Sequence, residues 1–210
     1  MKLLLKYFPE LTPKQLSAYE QLALNICHWN DKINLISRKD TEHLEERHIL
    51  HSLAIAYHLK FKSDSRIIDV GTGGGFPGLP LAIMFPNVHF TLVDSIQKKI
   101  NVVKELTHTL ELKNITPRHV RAEKVSDKYD FIISRAVTAF PKFLGWTKNL
   151  ISEKSSNEIP NGILALKGGD LSNELAGYNK TTQIIPISSF FDEIWFATKH
   201  IVYWHPTKRS

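Results

Sequence analysis

The first part of the chain carries apolar residues at intervals of three and four, the spacing of one face of an α-helix. These residues are Leu16, Tyr19, Leu22, Ala23, Ile26 and Ile33. Thr12, Pro13 and Gln15 supply an N-cap, a proline at the first helical position and the partner residue of a capping box. The pattern therefore predicts an amphipathic helix that begins at residue 13.

A second helix is expected over residues 41–59, after the connecting segment NLISRKD at residues 34–40. Its buried positions include Leu44, Leu53 and Ile55. Because both predicted segments are helical, residues 1–60 are interpreted as a helical N-terminal extension.

The hydrophobic pattern changes after residue 65, where short apolar runs rich in β-branched residues alternate with longer segments. The runs are RIIDV, VHFTLVD, YDFIIS and GILALK. Such alternation predicts a parallel sheet covered by helices on both faces. Two later runs, TTQIIPIS and FATKHIVYWHP, are separated by a short connection and are expected to form an antiparallel pair. The prediction is one α/β domain over residues 1–210, with its core at residues 61–210.

Composition agrees with a soluble globular domain, since 42% of the 210 residues are hydrophobic and 23% are charged. No run of about 18 apolar residues is present, so no membrane span is expected. The N-terminal apolar patch is too short for a signal peptide. The single cysteine, Cys27, excludes an internal disulfide and fits a reducing cytoplasm. Its apolar neighbours predict that it is buried.

Positive charge is in moderate excess, with a formal net charge of +6. This excess is compatible with a polyanionic partner such as RNA, although many soluble domains are mildly basic. The tryptophans could stack on bases, but packing in the core or at an interface is the simpler interpretation. They are Trp29, Trp146, Trp195 and Trp204.

Five glycines and two prolines occur in IIDVGTGGGFPGLPLAI, residues 67–83, between a predicted strand and a predicted helix. Glycine permits positive φ and lets a ligand approach the main chain. Nucleotide-like ligands bind at this end of the first strand in open α/β sheets. Residues 73–78 match the dinucleotide fingerprint G-x-G-x-x-G, but a glycine-rich run produces such matches easily. Starting from Asp69, the motif is an acid followed by G-x-G-x-G, the form found in S-adenosylmethionine (SAM) enzymes.

Charged residues follow the other predicted strands. Asp94 ends the second strand and could accept hydrogen bonds from both hydroxyls of a ribose, as in NAD and SAM enzymes, or could cap the next helix. The triplet RAE, residues 121–123, follows the third strand and would reach the same pocket. Arg135 ends the fourth strand and could bind a cofactor carboxylate or an RNA phosphate, or form a surface salt bridge.

Together these motifs resemble the RsmG family, also called GidB, of bacterial 16S rRNA guanine-N7 methyltransferases. The resemblance covers nearly the whole chain, and its segments are WNDKINLIS, RHILHSL, DVGTGGGFPGLPLAI, LVDSIQKKINVV, RAE, SRAV and LALKGG. Two small departures lie in the helical extension: many members have Thr after the Leu of NLIS, and DSL in place of HSL.

The resemblance implies a Rossmann-like class I SAM-dependent methyltransferase fold. Its sheet would have seven mostly parallel strands with an antiparallel C-terminal pair. SAM contacts are implied at Gly71, Phe76, Ala122, Glu123 and Arg135, and the loop and strand positions add Gly73 and Asp94. The implied partner is 16S rRNA or the small ribosomal subunit particle. The protein is expected to be a cytoplasmic monomer that does not bind a membrane. Candidate substrate-binding residues are Arg38, His48, Lys98 and Lys167, within a basic rim that would also include Arg47, Lys99, Lys142 and Lys199.

The chemistry agrees with an acceptor that loses no proton, for which no catalytic base is expected. The signature of exocyclic-amine methyltransferases, Asn/Asp-Pro-Pro-aromatic, is replaced here by Ser-Arg-Ala-Val at residues 134–137. A cysteine nucleophile, which C5 methylation of pyrimidines requires, is not expected in the pocket. No metal site is expected either, because only two of His43, His48 and His51 share a helical turn and no carboxylate or cysteine completes a ligand set.

Three alternatives remain open on the sequence. The first is an NAD(P)-dependent oxidoreductase that uses the fingerprint at residues 73–78, although no catalytic pair can be placed beside a nicotinamide. The second is a SAM-dependent methyltransferase that acts on a protein or a small molecule. The third is a non-catalytic RNA-binding module that retains the fold.

Overall fold

The computed structural model describes residues 1–178 and 180–206, except the side chain of Arg38. The helices in these ranges are α1 (Lys2–Tyr7), α2 (Pro13–Asn30), α3 (His51–His58), α4 (Gly78–Met84), α5 (Gln97–Thr109) and α6 (Phe140–Thr147). The strands are β1 (Arg66–Val70), β2 (His89–Asp94), β3 (Ile115–His119), β4 (Phe131–Arg135), β5 (Gly162–Gly168), β6 (Thr182–Pro186) and β7 (Lys199–Trp204). None of the described helices has the length and apolar character needed to cross a membrane.

The strands form one seven-stranded sheet in the order β3-β2-β1-β4-β5-β7-β6. Strands β1 to β5 pair in parallel, whereas β7 pairs antiparallel with both β5 and β6. The predicted mostly parallel sheet with an antiparallel C-terminal pair is therefore confirmed. The chain proceeds outwards from β1 to β3 and then returns to place β4 beside β1. The carboxyl ends of β1 and β4 consequently lie at the reversal of strand order, where α/β sheets bind their ligands.

Alternate residues of the central strands face opposite layers, as expected for a sheet buried on both sides. Ile67 and Ile133 belong to an apolar cluster on one face, which includes side chains from α2, α3 and α4. Ile68 and Ile132 belong to a second cluster on the other face, together with α6. Helices of the extension and of the core thus share one apolar layer.

The first predicted helix is confirmed at its N-terminus. The side chain of Thr12 accepts a hydrogen bond from Gln15 N at 3.3 Å, and Thr12 N donates to Gln15 Oε1 at 3.1 Å, which completes the capping box. Tyr19, Leu22 and Ile26 are fully buried on the predicted apolar face. Cys27 is exposed, so the prediction that it is buried was wrong. One step along a helix turns a side chain by about 100°, which carries Cys27 away from the face that holds Ile26.

The second predicted helix is divided into segments of different helical type. A 3₁₀ segment, Arg38–His43, leads into a π-helical segment, Glu45–Leu50, and then into α3. The three predicted core positions in this region are buried, namely Leu44, Leu53 and Ile55. A π-helical turn is rare and is often found at functional sites. Here it includes His48, whose contacts are described below.

Candidate functional site

Two adjacent clefts open at the carboxyl ends of β1 and β4. The large cleft has a volume of about 750 Å³ and the small cleft about 430 Å³. Gly71 and Val137 line both clefts, and a Cβ atom on Gly71 would lie 2.7 Å from Cγ2 of Val137. The contact between these two residues is therefore the partition between the clefts.

The glycine loop that follows β1 presents main chain without side chains to the large cleft. Gly73 has φ +58°, and a Cβ atom placed on it would meet nothing within 4 Å. Gly71 has φ +72° and lies directly under Val137. Glycine is required at Gly71 by backbone conformation and close contact, while at Gly73 it leaves space for a ligand. The open space predicted for this loop is therefore present at Gly73, whereas neighbouring side chains occupy the corresponding space at Gly71, Gly74 and Gly75.

Asp69, at the end of β1, holds the glycine loop from below. Its Oδ2 accepts hydrogen bonds from Thr72 Oγ1 at 2.7 Å and from Gly78 N at 2.9 Å. The carboxyl group is fully buried, and burial raises its pKa to about 7 against the opposing effect of these two hydrogen bonds. The carboxyl group therefore joins the start of the loop to the start of α4.

Asp94, at the end of β2, holds the loop from the side of the small cleft. Its Oδ2 accepts from Gly73 N at 3.0 Å, and its Oδ1 accepts from Ile96 N at 2.9 Å. Asp94 is not the N-cap residue of α5, which is Ile96, although its hydrogen bond to Ile96 N holds the chain at the start of that helix. A carboxylate oxygen can accept more than one hydrogen bond. The oriented carboxylate therefore fits the two hydroxyls of a ribose.

The RAE triplet also lies at the small cleft. A short 3₁₀ turn, Ala122–Lys124, follows β3 and brings Ala122 and Glu123 into the lining beside Asp94. Ala122 is buried, whereas Glu123 is exposed. The small cleft thus combines an apolar wall with two carboxylates, a composition that fits the nucleoside part of a cofactor.

Arg135, at the end of β4, lies in the wall of the large cleft. Its Nη2 donates to Nδ1 of His48 at 3.0 Å, and its guanidinium carbon lies 4.8 Å from the centre of the Phe76 ring. No ion pair of the described residues includes Arg135, and burial lowers its pKa to about 10. A desolvated guanidinium without a carboxylate partner is an attractive site for an anion. The surface salt bridge considered for Arg135 is not observed.

His48 is buried next to Arg135 and is held neutral. Burial lowers its pKa to about 3, and the positive charge of Arg135 acts in the same direction. Because Nδ1 accepts a hydrogen bond from Arg135, the proton of the neutral ring resides on Nε2. That nitrogen is buried and has no hydrogen-bond partner among the described residues. Within the described part of the chain, the Nε2 donor of His48 is therefore left without a partner inside the wall of the large cleft.

The predicted basic residues are brought together only in part. Lys98 is exposed and lines neither cleft, while its neighbour Lys99 lines the large cleft. Lys167 lines the large cleft, but its ammonium group is paired with Glu174 at 2.7 Å. The side chain of Arg38 lies outside the described residues.

The clefts are also lined by Val137 and Glu174, which the sequence analysis did not select as site residues, and by Trp195, for which packing was the preferred interpretation. The only sequence signal for Val137 was its place in the SRAV motif. Glu174 had no signal, because it lies in the irregular segment between β5 and β6. Trp195 is half-buried in the large cleft, with its ring 5.0 Å from the ring of His51 and 4.5 Å from Nζ of Lys199. No group of three or more His, Cys, Asp or Glu in the described ranges is placed to hold a metal ion.

Comparison with solved structures shows the fold. A SAM-dependent methyltransferase from Aquifex aeolicus matches with a TM-score of 0.56 and 15% identity, over 80% of this chain and 98% of that one. A Thermus thermophilus 16S rRNA N2 G1207 methyltransferase, solved with AdoMet and guanosine, matches with a TM-score of 0.58 and 13% identity. This match covers 77% of this chain and 43% of the Thermus protein. The sheet and its helices thus have the class I SAM-dependent methyltransferase fold.

Comparison of sequences shows the family. The proteins named ribosomal RNA small subunit methyltransferase G from Christiangramia forsetii and Cytophaga hutchinsonii are 52% and 48% identical to this chain over 203 residues. These alignments cover 97% of this chain and at least 96% of each relative. The family model GidB, described as rRNA small subunit methyltransferase G, matches residues 14–195. Because the family model matches most of the chain and these relatives are about half identical to it, the chain belongs to the GidB family of SAM-dependent methyltransferases.

Proposed function

We propose that this chain transfers a methyl group from SAM to N7 of a guanine in the 16S rRNA of the small ribosomal subunit. The observation that carries the proposal is the pair of clefts that meet at Gly71, with an oriented carboxylate on one side and, on the other, a guanidinium that has no carboxylate partner among the described residues. This arrangement fits a ligand with a ribose at one end and a carboxylate at the other. The two relatives named above have names that state methylation of small-subunit rRNA.

The cofactor would be held by residues of both clefts. Asp94 would accept from the ribose hydroxyls, with Ala122 and Glu123 beside the nucleoside. Gly71 would lie against the cofactor at the partition, Gly73 would leave room along the main chain, and Arg135, packed on Phe76, would bind the carboxylate. When bound, SAM supplies an electrophilic methyl group on a sulfonium centre.

Two buried titratable groups near the large cleft, Asp69 and His48, support an acceptor that loses no proton. Asp69 is enclosed beneath the loop, and the Nδ1 lone pair of His48 is used by Arg135. Neither group is free to act as a general base. Guanine N7 attacks through an available lone pair and needs none, so alignment and exclusion of water can supply the rate enhancement.

Recognition of the acceptor would rest on the walls of the large cleft. We propose that His48 contacts the RNA from the wall of this cleft, and that Lys99 and Lys199 attract its phosphates. We propose a role in RNA binding for Arg38 as well, and for Lys98, which is exposed outside both clefts. The N7 edge is hidden in the deep major groove of A-form RNA, so the target would be an exposed loop or opened RNA. The enzyme would act as a cytoplasmic monomer on free rRNA or on the ribosomal particle.

The proposal is tested by incubating the purified protein with tritiated SAM and either small ribosomal subunits or free 16S rRNA from cells that lack this enzyme. Nucleoside mass spectrometry of the labelled RNA is expected to show 7-methylguanosine. Label in protein or in small molecules instead of RNA would support the alternative acceptors. Tight NADH binding without SAM binding in calorimetry would support the oxidoreductase and overturn the proposal.

A further inference from the structure

The loop between β4 and α6 controls the partition between the two clefts. This β4–α6 loop comprises residues 136–139, and its Val137 packs on Gly71 and lines both clefts. A ligand that occupies both clefts must therefore lie against Val137. The position of this loop sets the space that the ligand has at the partition.

The loop has a backbone conformation that needs support from outside. Ala136 has φ +52°, in the left-handed region, although it is not a glycine. Non-glycine residues in this region persist where surrounding contacts hold them, and they concentrate at functional sites. Ala136 and Ala139 are exposed, so the loop is not fixed by burial at these positions.

Two side chains supply such support. Nζ of Lys167, on β5, donates to the carbonyl oxygen of Thr138 at 2.5 Å and forms an ion pair with Oε1 of Glu174 at 2.7 Å. The same oxygen of Glu174 accepts from the main-chain nitrogen of Phe140 at 2.5 Å. The pair therefore holds a carbonyl and an amide two residues apart, one inside the loop and one at the start of α6. The exposed fractions of these side chains are 12% and 23%.

We propose that Lys167 and Glu174 are a positioning pair, which holds the β4–α6 loop so that Val137 leaves the correct space above Gly71 for the cofactor. The inference rests on the proposed function of the two clefts. It changes the role expected for Lys167 from the sequence, because an ammonium group that is already bound to a carboxylate and a carbonyl has little left to offer an RNA phosphate. Neither residue needs to touch the cofactor in this role.

The test compares variants that change the net charge in opposite directions. Lys167→Met removes a positive charge and Glu174→Ala a negative one, but both release the loop. We expect each variant to bind S-adenosylhomocysteine about tenfold more weakly in calorimetry, the effect of losing one charge-assisted hydrogen bond. Hydrogen exchange at the amide of Phe140 should accelerate in both. The salt dependence of RNA binding should stay as in the wild type.

Three further variants separate positioning from other roles. Glu174→Gln keeps the oxygen that accepts from Phe140 and should retain affinity within about threefold of wild type. The double variant, Lys167→Met with Glu174→Ala, should be no weaker than the weaker single variant, since the two act as a unit. Lys99→Met, in the same cleft, should show the opposite signature: its RNA-binding salt slope falls by about one while cofactor affinity is unchanged.

The pair is rejected if Lys167→Met lowers the salt slope of RNA binding but binds S-adenosylhomocysteine normally. Normal affinity in Glu174→Ala rejects it as well, and this variant decides alone if Lys167→Met does not fold. The proposed function has a separate criterion, because it fails when the wild-type protein itself neither binds S-adenosylhomocysteine nor methylates rRNA. A wild type that does both, with variants that match it, removes only the positioning pair.

Discussion

At the scale of single residues, Gly73 illustrates how far the sequence determines the site. The glycine-rich motif predicted an open main chain, and the structure shows free space at the position of a Cβ atom. The motif could not show that Gly71 serves a different purpose, contact with Val137, because that contact joins loops far apart in the chain. The sequence also could not show that Lys99, and not Lys98, lines the large cleft. Adjacent helical residues differ by about 100° in direction, and only the folded structure shows which direction faces the cleft.

The role of Gly73 can be tested with a matched substitution. Gly177 also has positive φ and open space around its Cβ position, but it lines neither cleft. Valine at either position is strained, so Gly73→Val and Gly177→Val should both lower the unfolding temperature by a few degrees. Only Gly73→Val should also weaken S-adenosylhomocysteine binding, by at least tenfold in calorimetry. Equal affinities in the two variants would remove the loop from the site.

Arg135 allows a second residue-scale prediction. If its guanidinium binds the cofactor carboxylate, Arg135→Met should weaken S-adenosylhomocysteine binding by about a hundredfold. Binding of 5′-methylthioadenosine, which lacks that carboxylate, should change less than threefold. Both ligands are compared by calorimetry on the same preparations. An equal loss for both would mean that Arg135 acts only by holding the site together, and no loss for either would leave RNA phosphate as its partner.

At the scale of elements, periodicity predicted where helices and strands lie better than it predicted their internal form. The capping residues of α2 act locally and were identified correctly. The π-helical segment that contains His48 was not identified, because its form depends on packing against Phe76 and Arg135. Tertiary contacts of this kind have no local signal in the sequence.

Asp69, which holds the glycine loop, makes the unfolding free energy of the protein depend on pH. Burial raises the pKa of Asp69 from 3.8 in an unfolded chain to about 7 in the folded protein. Between these two values the folded state holds the proton that the unfolded state has lost, so the contribution of Asp69 to the unfolding free energy falls as pH rises. Urea unfolding at pH 5 and pH 8 should therefore show a smaller stability advantage of wild type over Asp69→Asn at pH 8. An advantage that increases with pH would contradict the buried, protonated group.

At the scale of the whole molecule, the alternation of strands and helices was sufficient to predict the sheet and the antiparallel ending. It could not predict how the helical extension meets the sheet. The hydroxyl of Tyr19 in α2 donates a hydrogen bond to the carbonyl oxygen of Pro80 in α4 at 2.9 Å, and Leu35 packs beside Gly74. The extension therefore supports the glycine loop directly.

This shared packing leads us to expect that extension and core unfold together. Leu22 is fully buried in the apolar layer common to both, so Leu22→Ala should lower the unfolding free energy by about 2–5 kcal/mol. Trp29 reports on the extension and Trp204 on the sheet, and each can be followed by fluorescence after the other tryptophans are replaced by phenylalanine. Because one cooperative unit has one transition, Leu22→Ala should shift both signals to the same lower urea concentration. A shift of the Trp29 signal alone would show that residues 1–60 fold as a separate unit, and the glycine loop would then have to keep its shape without them.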